Sequence, residues 1–441
     1  MRRQLLLAGL AGAAVLAGSL PRVHAETKVN IPQRAKIEAE VKDVVGGDIA
    51  ADDTVERDKR FSEIDKLIQK DKANTALRTP EFWVEAMQGN YFAGKSRPST
   101  KTKVVVEEEL EIYYVDGSRG TVPIAYLGAA AYQKSRPHPL VVTLLPAGTN
   151  PKEWIEANWK ADETASKNWI VAAVAESPKF RVAEQPHLAT YPFAFMREKY
   201  NTDGNRWFLE GVGDACGAAQ RAACEVLPDR LAGLVLRDPK AAATNVNSRF
   251  FGTYVLHAEG DDAVAKAYTE AVGEAAVSAV HGEGDVAALA QWIDTHAPRR
   301  TLASYEFQTA TSEQGITSQW TGTLWLQSPN RRGDPIHVKV QYDRATNRVT
   351  VDGENLGEFH LYLNDDLVDL DNAVTIVCNG QELVSKKFER GLKLLFDTAD
   401  NLGDYGRVFT ARYIGNAPTV IAAADAGAGG GDTQPGDPEK K

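Results

Sequence analysis

The chain has 441 residues, of which 43% are hydrophobic and 25% are charged, and its formal net charge is −10. This balance is typical of a globular protein with enough core for two or three domains. Because phosphate contacts need clustered lysine and arginine, an acidic chain without a basic cluster excludes nucleic acid as an expected partner.

The first 25 residues are predicted to be a signal peptide and not part of the fold. Arg2 and Arg3 give a positive start, residues 5–20 are apolar, and the small-residue pattern ending at Ala25 fits a cleavage site. A membrane anchor is the alternative, but the apolar run is short for a span and ends at Pro21. We expect an exported protein, periplasmic or extracellular, with no membrane span after the signal is removed.

Residues 26–102 are predicted to be an N-terminal helical segment. Phe61, Ile64 and Ile68 recur at helical spacing, and Pro80 suits the first position of a further helix. An apolar helix face must pack against another element. The simplest expectation is that it packs on the domain that follows in the chain.

Residues 103–300 are predicted to form an α/β domain. Two strands flanking a turn come first, and strand and helix patterns then alternate. The apolar runs at 139–146 and 168–175 have the continuous hydrophobicity of strands that are buried on both faces. Antiparallel strands followed by repeated strand–helix units predict a mostly parallel sheet with helices on both faces.

Residues 301–415 contain short strand patterns separated by turn residues, which predict a β-rich, sandwich-like domain. Residues 416–441 are of low complexity and are predicted to be a disordered tail. The acidic run at 364–372 could be considered a calcium loop. It lacks the glycine and the distal glutamate of that motif, so turn chemistry is favoured.

The three cysteines are Cys216, Cys224 and Cys378. The first two share a predicted helix, whose rise would separate them by about 12 Å, too far for a disulfide. Buried thiols are expected. The sequence offers no convincing pattern of metal ligands, and we expect neither a metal nor a cofactor.

The stretch RWFLEGVGDACGAA, residues 206–219, has the pattern of a strand, a sharp glycine-rich turn and a small-residue helix. A strand–turn–helix bend of this sharpness needs small residues two before and two after its apex. Gly213 at the apex puts Gly211 and Ala215 in those places, whereas Asp214 at the apex would put a valine and a cysteine there. The predicted apex is therefore Gly213.

With this turn, the sequence resembles the α/β-hydrolase superfamily, in particular its exported esterase and prolyl-oligopeptidase-like branch. The resemblance covers about residues 103–298 and rests on the order of elements, on REKYNTDGNRWFLEGVGDACGAA, and on the later runs PDRLAGLVL and VLHAEGDD. In that family the apex of the turn presents a nucleophilic serine. Here the corresponding residue is Gly213.

The resemblance also implies positions for the rest of a degenerate site. It puts the acid at Asp261 and the base at His281, and the oxyanion loop at Ala147 and Gly148. Pro146 stands where the family has a glycine, and proline has no N–H to donate to an oxyanion. Both titratable residues also have structural interpretations, Asp261 as a turn or helix cap and His281 as a surface residue.

Two further features have a structural and a functional interpretation. Trp154 and Trp159 lie five residues apart on a predicted helix, so they do not form one flat face, and separate packing contacts are favoured over a ligand platform. Cys216 is interpreted as a packing residue of the helix and not as a thiol nucleophile.

The first functional hypothesis is a catalytically inactive α/β-hydrolase-fold protein that binds an unknown small ligand or protein. Removing the nucleophile of a serine hydrolase costs about 10⁶ in turnover. An acid–base pair contributes about 10²–10⁴, which does not offset that loss. The alternatives are an active exported esterase or serine peptidase with a displaced nucleophile, for which Ser248 and Ser278 are candidates, and an envelope scaffold that acts through its β domain.

Overall fold

The structure is a computed structural model. It describes residues 29–46, 53–91, 103–114, 118–160, 162–180, 185–257, 262–273, 277–281, 286–295, 304–309, 321–322, 326–328, 336–402 and 405–418. The predicted signal peptide, most of the predicted tail and Asp261 lie outside these residues. Among the helices of the described ranges, none combines the length and the apolar character that a membrane span requires.

Three helices open the described chain: α1 (Arg34–Val45), α2 (Thr54–Ile68) and α3 (Pro80–Asn90). The side chain of Asp53 caps α2 by accepting a hydrogen bond from the backbone N–H of Glu56, which satisfies one of the free donors at the helix start. Phe61, Ile64 and Ile68 are buried, as the helical spacing predicts.

The apolar faces of these helices pack on one another and on α11 (Leu392–Leu402), near the other end of the chain. The Phe396 ring lies 5.0 Å from that of Phe61 and 5.9 Å from that of Trp83. The expectation that the segment packs on the domain that follows it was therefore wrong in its main contact. The reason is that α11 carries an apolar stripe of its own. The prediction that residues 301–415 are β-rich did not include this helix.

The centre of the molecule is an eight-stranded sheet with the order β1-β2-β4-β3-β5-β6-β7-β8. Strand β2 is antiparallel to both of its neighbours, and the strands from β4 to β8 run parallel. The strands are β1 (Val105–Tyr113), β2 (Arg119–Leu127), β3 (His138–Leu145), β4 (Ile170–Ala175), β5 (Thr202–Val212), β6 (Gly233–Arg237), β7 (Gly252–His257) and β8 (Val277–His281).

Helices cover both faces of this sheet, which is why β3 is buried along its whole length and β4 along all but its last residue. One face packs against α4 (Pro151–Asn158), α5 (Glu163–Asn168) and α10 (Val286–Thr295). The other packs against α6 (Gln185–Leu188), α7 (Thr190–Lys199), α8 (Cys216–Arg221) and α9 (Ala263–Val272). The α/β class predicted from the alternating patterns is confirmed.

The C-terminal region is β-rich, with one sheet in the order β16-β15-β13-β12-β9 and another in the order β10-β11-β14-β17. Its strands are β9 (Ser304–Gln308), β10 (Thr321–Gly322), β11 (Leu326–Ser328), β12 (His337–Asp343), β13 (Arg348–Glu354), β14 (Glu358–Leu363), β15 (Val374–Cys378), β16 (Gln381–Lys386) and β17 (Ala411–Asn416).

The C-terminal region is joined to the α/β region by direct contacts. The side-chain amide of Asn247 donates to the carbonyl of Gln308 at 2.7 Å and accepts from its N–H at 2.9 Å. Phe250 also packs on the rings of Tyr305 and Phe307. A fragment cut near residue 301 would lose these contacts, so experiments on the β-rich region need the whole chain.

Candidate functional site

The turn after β5 has the geometry of a strand–turn–helix elbow. Gly213 has φ +52° and begins a one-turn 3₁₀ segment, Gly213–Ala215, that leads directly into α8. A Cβ on Gly211 would lie 2.7 Å from Ala219 Cβ and 2.9 Å from Cys216 Cα. The close approach of α8 therefore requires a small residue two positions before the apex. Steric crowding of this kind is what the sequence pattern predicts.

Gly213 occupies the apex for a different reason. Among the described residues, the one atom within 4 Å of a Cβ built there is Pro146 Cγ, at 3.8 Å. There is consequently room for a side chain, and the left-handed backbone conformation is what favours glycine. A nucleophile in an elbow turn would project from this position.

The loop after β3 lies beside this apex, as the short approach of Pro146 to Gly213 shows. Ala147 and Gly148 are exposed, and Gly148 has φ +84°. The N–H of Thr149 donates to the Pro146 carbonyl at 3.1 Å, which closes the loop before α4 begins. The structure thus brings the predicted oxyanion loop and the predicted apex together.

His281 is the last residue of β8 and pairs in register with His257 of β7. Three strand-to-strand steps separate β8 from β5, so at about 4.8 Å each the two backbones lie about 14 Å apart. The strand that carries His281 therefore does not adjoin the one that leads to Gly213. Asp261 lies outside the described residues; the neighbouring Asp262 has a carboxylate oxygen 3.6 Å from His257 Nδ1.

The residues around the apex include exposed and half-buried charges. Asp214, directly after the apex, pairs with Lys240 at 2.7 Å, and both side chains are exposed. Burial, and next the negative charge of Asp214, raise the pKa of the Glu176 carboxyl at the end of β4. Two carboxyl groups therefore lie near enough to the apex for one to influence the other, and the charge of Asp214 is balanced by Lys240.

A buried ion pair lies directly before the elbow, and it was not predicted from the sequence. Glu210 is completely buried, and its carboxylate accepts hydrogen bonds from Thr143 Oγ1 at 2.5 Å, Trp159 Nε1 at 3.1 Å and Arg237 Nε at 2.5 Å. The guanidinium carbon of Arg237 lies 5.8 Å from the ring of Trp154 and 5.6 Å from that of Trp159. The sequence feature that could have predicted this ion pair is the presence of charged residues within two otherwise apolar runs, RWFLEG and LAGLVLR.

These contacts also correct the interpretation of the two tryptophans. Trp154 and Trp159 do not form one flat face, and this agrees with the prediction. They are not separate packing residues, however, because both rings lie against the Arg237 guanidinium. A cation between aromatic faces is stabilised by the ring quadrupoles. Glu210 and Arg237 come from neighbouring strands and meet only because β5 and β6 pair.

Cys216 is a packing residue, as interpreted from the sequence. It is buried, its Sγ donates to the Arg237 carbonyl at 3.3 Å, and burial raises its thiol pKa to about 12. Cys224 lies with its Sγ 3.2 Å from Ser248 Oγ, and burial raises its pKa to about 11. A thiolate is the reactive form of cysteine, so neither residue suits nucleophilic catalysis near neutral pH.

We expect the native protein to be unreactive towards a water-soluble thiol reagent at pH 8, whereas the same reagent labels all three cysteines in urea. Burial also raises the pKa of Cys378 to about 11. Unfolded thiols ionise at about pH 8.5, and the folded thiols ionise at higher pH. The contribution of the protonated thiols to stability is therefore complete below about pH 8.5 and is lost between about pH 8.5 and 12. Urea midpoints measured from pH 7.5 to 10.5 should fall accordingly, and rapid labelling of a native thiol would contradict the prediction.

The acidic run at 364–372 forms turns that are held by ion pairs. Arg390 contacts Asp365 at 2.5 Å and Asp371 at 3.0 Å. Among the described residues, no group of three or more histidine, cysteine, aspartate or glutamate residues is arranged to hold a metal ion. These contacts support the interpretation of the run as turn chemistry.

No protein-family model and no curated protein sequence matches the chain. Among solved structures it is similar to a thermostable esterase, with 18% identity, a TM-score of 0.33, and coverage of 43% of this chain and 63% of that one. It is also similar to a variant of the feruloyl esterase module of Clostridium thermocellum, with 10% identity, a TM-score of 0.33, and coverage of 45% and 90%. For brefeldin A esterase, described as a bacterial homologue of human hormone-sensitive lipase, the values are 14%, 0.32, 49% and 83%.

The sheet order, the helices on both faces and the elbow after β5 give this chain an α/β-hydrolase fold, with a β-rich region after it. At identities and TM-scores this low, nothing about this chain is argued from the likeness, and the substrates named for those enzymes are properties of those enzymes.

Proposed function

We propose that this chain is an exported, catalytically inactive α/β-hydrolase-fold protein, of the esterase and prolyl-oligopeptidase-like type, that binds a small ligand or a protein. The observation that carries the proposal is the glycine at the apex of the elbow. Gly213 has the backbone conformation and the free space that a nucleophile would use, but it has no side chain.

The surroundings of the apex support the same conclusion. Pro146 lies beside it and has no N–H to offer an oxyanion. Loss of the nucleophile alone lowers turnover by about 10⁶-fold, and the remaining groups do not recover that loss.

A binding role would account for two buried donors near the elbow. Arg237 Nη2 and Trp154 Nε1 are buried, and neither has a hydrogen-bond partner among the described residues. Trp154 lies in the first turns of α4, directly after the loop beside the apex. Since buried polar groups are nearly always satisfied, we propose that a ligand or an ordered water supplies the missing acceptor.

The test is activity-based labelling with a fluorophosphonate. We expect no labelling of the wild-type protein and no hydrolysis of short acyl esters. Gly213→Ser should fold, because its Cβ has room, and should also remain unlabelled, because Pro146 beside it has no N–H to donate to an oxyanion. Heat-denatured protein is the background control, and an active serine hydrolase confirms that the probe is competent.

Labelling of the wild-type protein at any serine would overturn the proposal and favour the displaced nucleophile. Of the two candidates for that alternative, Ser248 is completely buried, and its hydroxyl accepts from the N–H of Asn245 in a helix cap. Burial of this kind argues against nucleophilic attack by Ser248. Ser278 pairs with Tyr254 in the middle of β8.

A further inference from the structure

The connection between β2 and β3, residues 128–137, is tied to the α/β region by the side chain of one buried histidine. His138, the first residue of β3, is only 3% exposed. Its Nδ1 lies 2.9 Å from the carbonyl oxygen of Asn168, the last residue of α5. Its Nε2 accepts a hydrogen bond from the backbone N–H of Gln133 at 3.2 Å. The imidazole therefore joins the backbone of the connection to the backbone at the end of α5.

These two partners determine the protonation state of the ring. A carbonyl oxygen only accepts hydrogen bonds, so Nδ1 must carry the hydrogen that it donates to Asn168. A backbone N–H only donates, so Nε2 must be without a hydrogen in order to accept from Gln133. The structure thus requires the neutral imidazole. A proton on Nε2 would set two donors against each other and break the hydrogen bond to Gln133.

The surroundings of His138 also oppose its protonation. Burial lowers the pKa of His138 below its usual value, and the positive charge of Arg136 lowers it further, while the hydrogen bond to Asn168 acts in the opposite direction. The carboxylate of Asp203, at the start of β5, accepts a hydrogen bond from the N–H of Asn205 at 2.9 Å. The other titratable side chains on the adjoining segments are Tyr132 and Lys134 in the connection, Lys167 in α5 and Tyr200 before β5.

The connection is in turn part of a contact with the N-terminal helices. Asn201, directly before β5, donates from its side-chain amide to the carbonyl of Lys134 at 2.8 Å and to that of Gln88 in α3 at 3.1 Å. Its backbone N–H donates to the Tyr132 hydroxyl at 2.9 Å, and the Tyr132 ring lies 5.2 Å from that of His138. One asparagine therefore joins α3, the connection and β5, and two of its three contacts depend on the connection.

We propose that His138 is an acid-sensitive latch, whose protonation releases residues 128–137 and loosens the contact of α3 with the α/β region. Protonation adds a positive charge to a buried site near Arg136 and removes the acceptor of the Gln133 N–H. A buried donor without an acceptor is unfavourable, so the connection moves to where both groups reach water. The Lys134 carbonyl moves with it, and the Asn201 amide loses one of its two acceptors.

The pH range of the latch follows from the direction of the pKa shift. In the released state the imidazole has the pKa of an exposed histidine, about 6.5, whereas in the latched state its pKa is lower. The released state therefore binds more protons at pH values between the two. The latch has its full stability above about pH 6.5 and weakens as the pH falls towards the pKa of the latched state. Because one proton is taken up, opening increases by at most about tenfold per pH unit.

The test is hydrogen–deuterium exchange of the full chain, followed by mass spectrometry at pH 7.5, 6.5, 5.5 and 5.0, with labelling times scaled to the intrinsic exchange rate. From pH 7.5 to 5.0 we expect the protection of residues 128–137 to fall by at least about threefold, within the limit of about tenfold per pH unit. The protection of residues 84–91 should fall with it, while β4 and β6 keep theirs. The glutamine of His138→Gln cannot take up a proton, so exchange of residues 128–137 in this variant should not depend on pH.

Two further variants test the role of charge. Arg136→Gln removes a positive charge that opposes protonation, so its loss of protection should begin at higher pH than in the wild type. Arg136 is exposed, so this variant should fold and remains informative even if His138→Gln is unstable. His360→Gln, the matched control, changes a histidine of β14 and should leave the pH dependence of residues 128–137 unchanged. The proposal is overturned if wild-type protection of residues 128–137 does not depend on pH, if His138→Gln keeps that dependence, or if β4 and β6 lose protection together with the connection.

Discussion

Replacing Arg237 with methionine is expected to lower the free energy of unfolding by about 3–5 kcal/mol, because it leaves the Glu210 carboxylate buried without its cation. Glu210 is completely buried and the Arg237 side chain is 9% exposed, so water does not replace the lost partner. Urea unfolding followed by circular dichroism measures the effect. Methionine keeps most of the side-chain length, so the loss of charge outweighs the loss of packing.

Two further variants separate charge from packing. Glu210→Gln combined with Arg237→Met should recover at least half of the loss, because the amide oxygen still accepts from Thr143 and Trp159 while the buried charge is gone. Lys240→Met removes the cation of the exposed pair with Asp214 and should leave the urea midpoint nearly unchanged. If Arg237→Met were as mild as Lys240→Met, the buried ion pair would not be part of the folded state.

Replacing Gly211 with alanine is expected to destabilise the protein by about 1–3 kcal/mol through overpacking. The added methyl group would lie 2.7 Å from Ala219 Cβ and 2.9 Å from Cys216 Cα. Part of α8 must move to make room, and the second contact is with backbone, which does not yield by a change of rotamer. Thermal and urea unfolding of the purified variant measure the cost.

Gly213→Ala, two residues later in the same turn, is the comparison. It meets no such contact among the described residues, so its cost is that of the left-handed conformation, about 1–2 kcal/mol. Adding Ala219→Gly to Gly211→Ala should relieve one of the two short contacts, while adding Ala219→Gly to Gly213→Ala should bring no relief. Equal responses of the two glycines to Ala219→Gly would contradict the packing argument.

The elbow was predictable because its determinants are local. Small residues are needed at fixed offsets from the apex, and Gly211, Gly213 and Ala215 satisfy that rule within five positions of the chain. The oxyanion loop at Ala147 and Gly148 was placed by the family resemblance, and the structure brings it beside the apex. Asp261 and the signal peptide lie outside the described residues, and the roles assigned to them stay predictions.

The sequence by itself determined the α/β class, the strand runs, the helical faces and the absence of a hydroxyl at the apex of the turn, because each follows from residue type and spacing over a short stretch. Only the tertiary structure decided that Arg237 compensates Glu210 and that α11 covers the N-terminal helices. Those partners are 27 and more than 300 residues apart, respectively. Local periodicity records which face of an element is buried but not which distant element buries it, so these contacts arise only when the chain has folded.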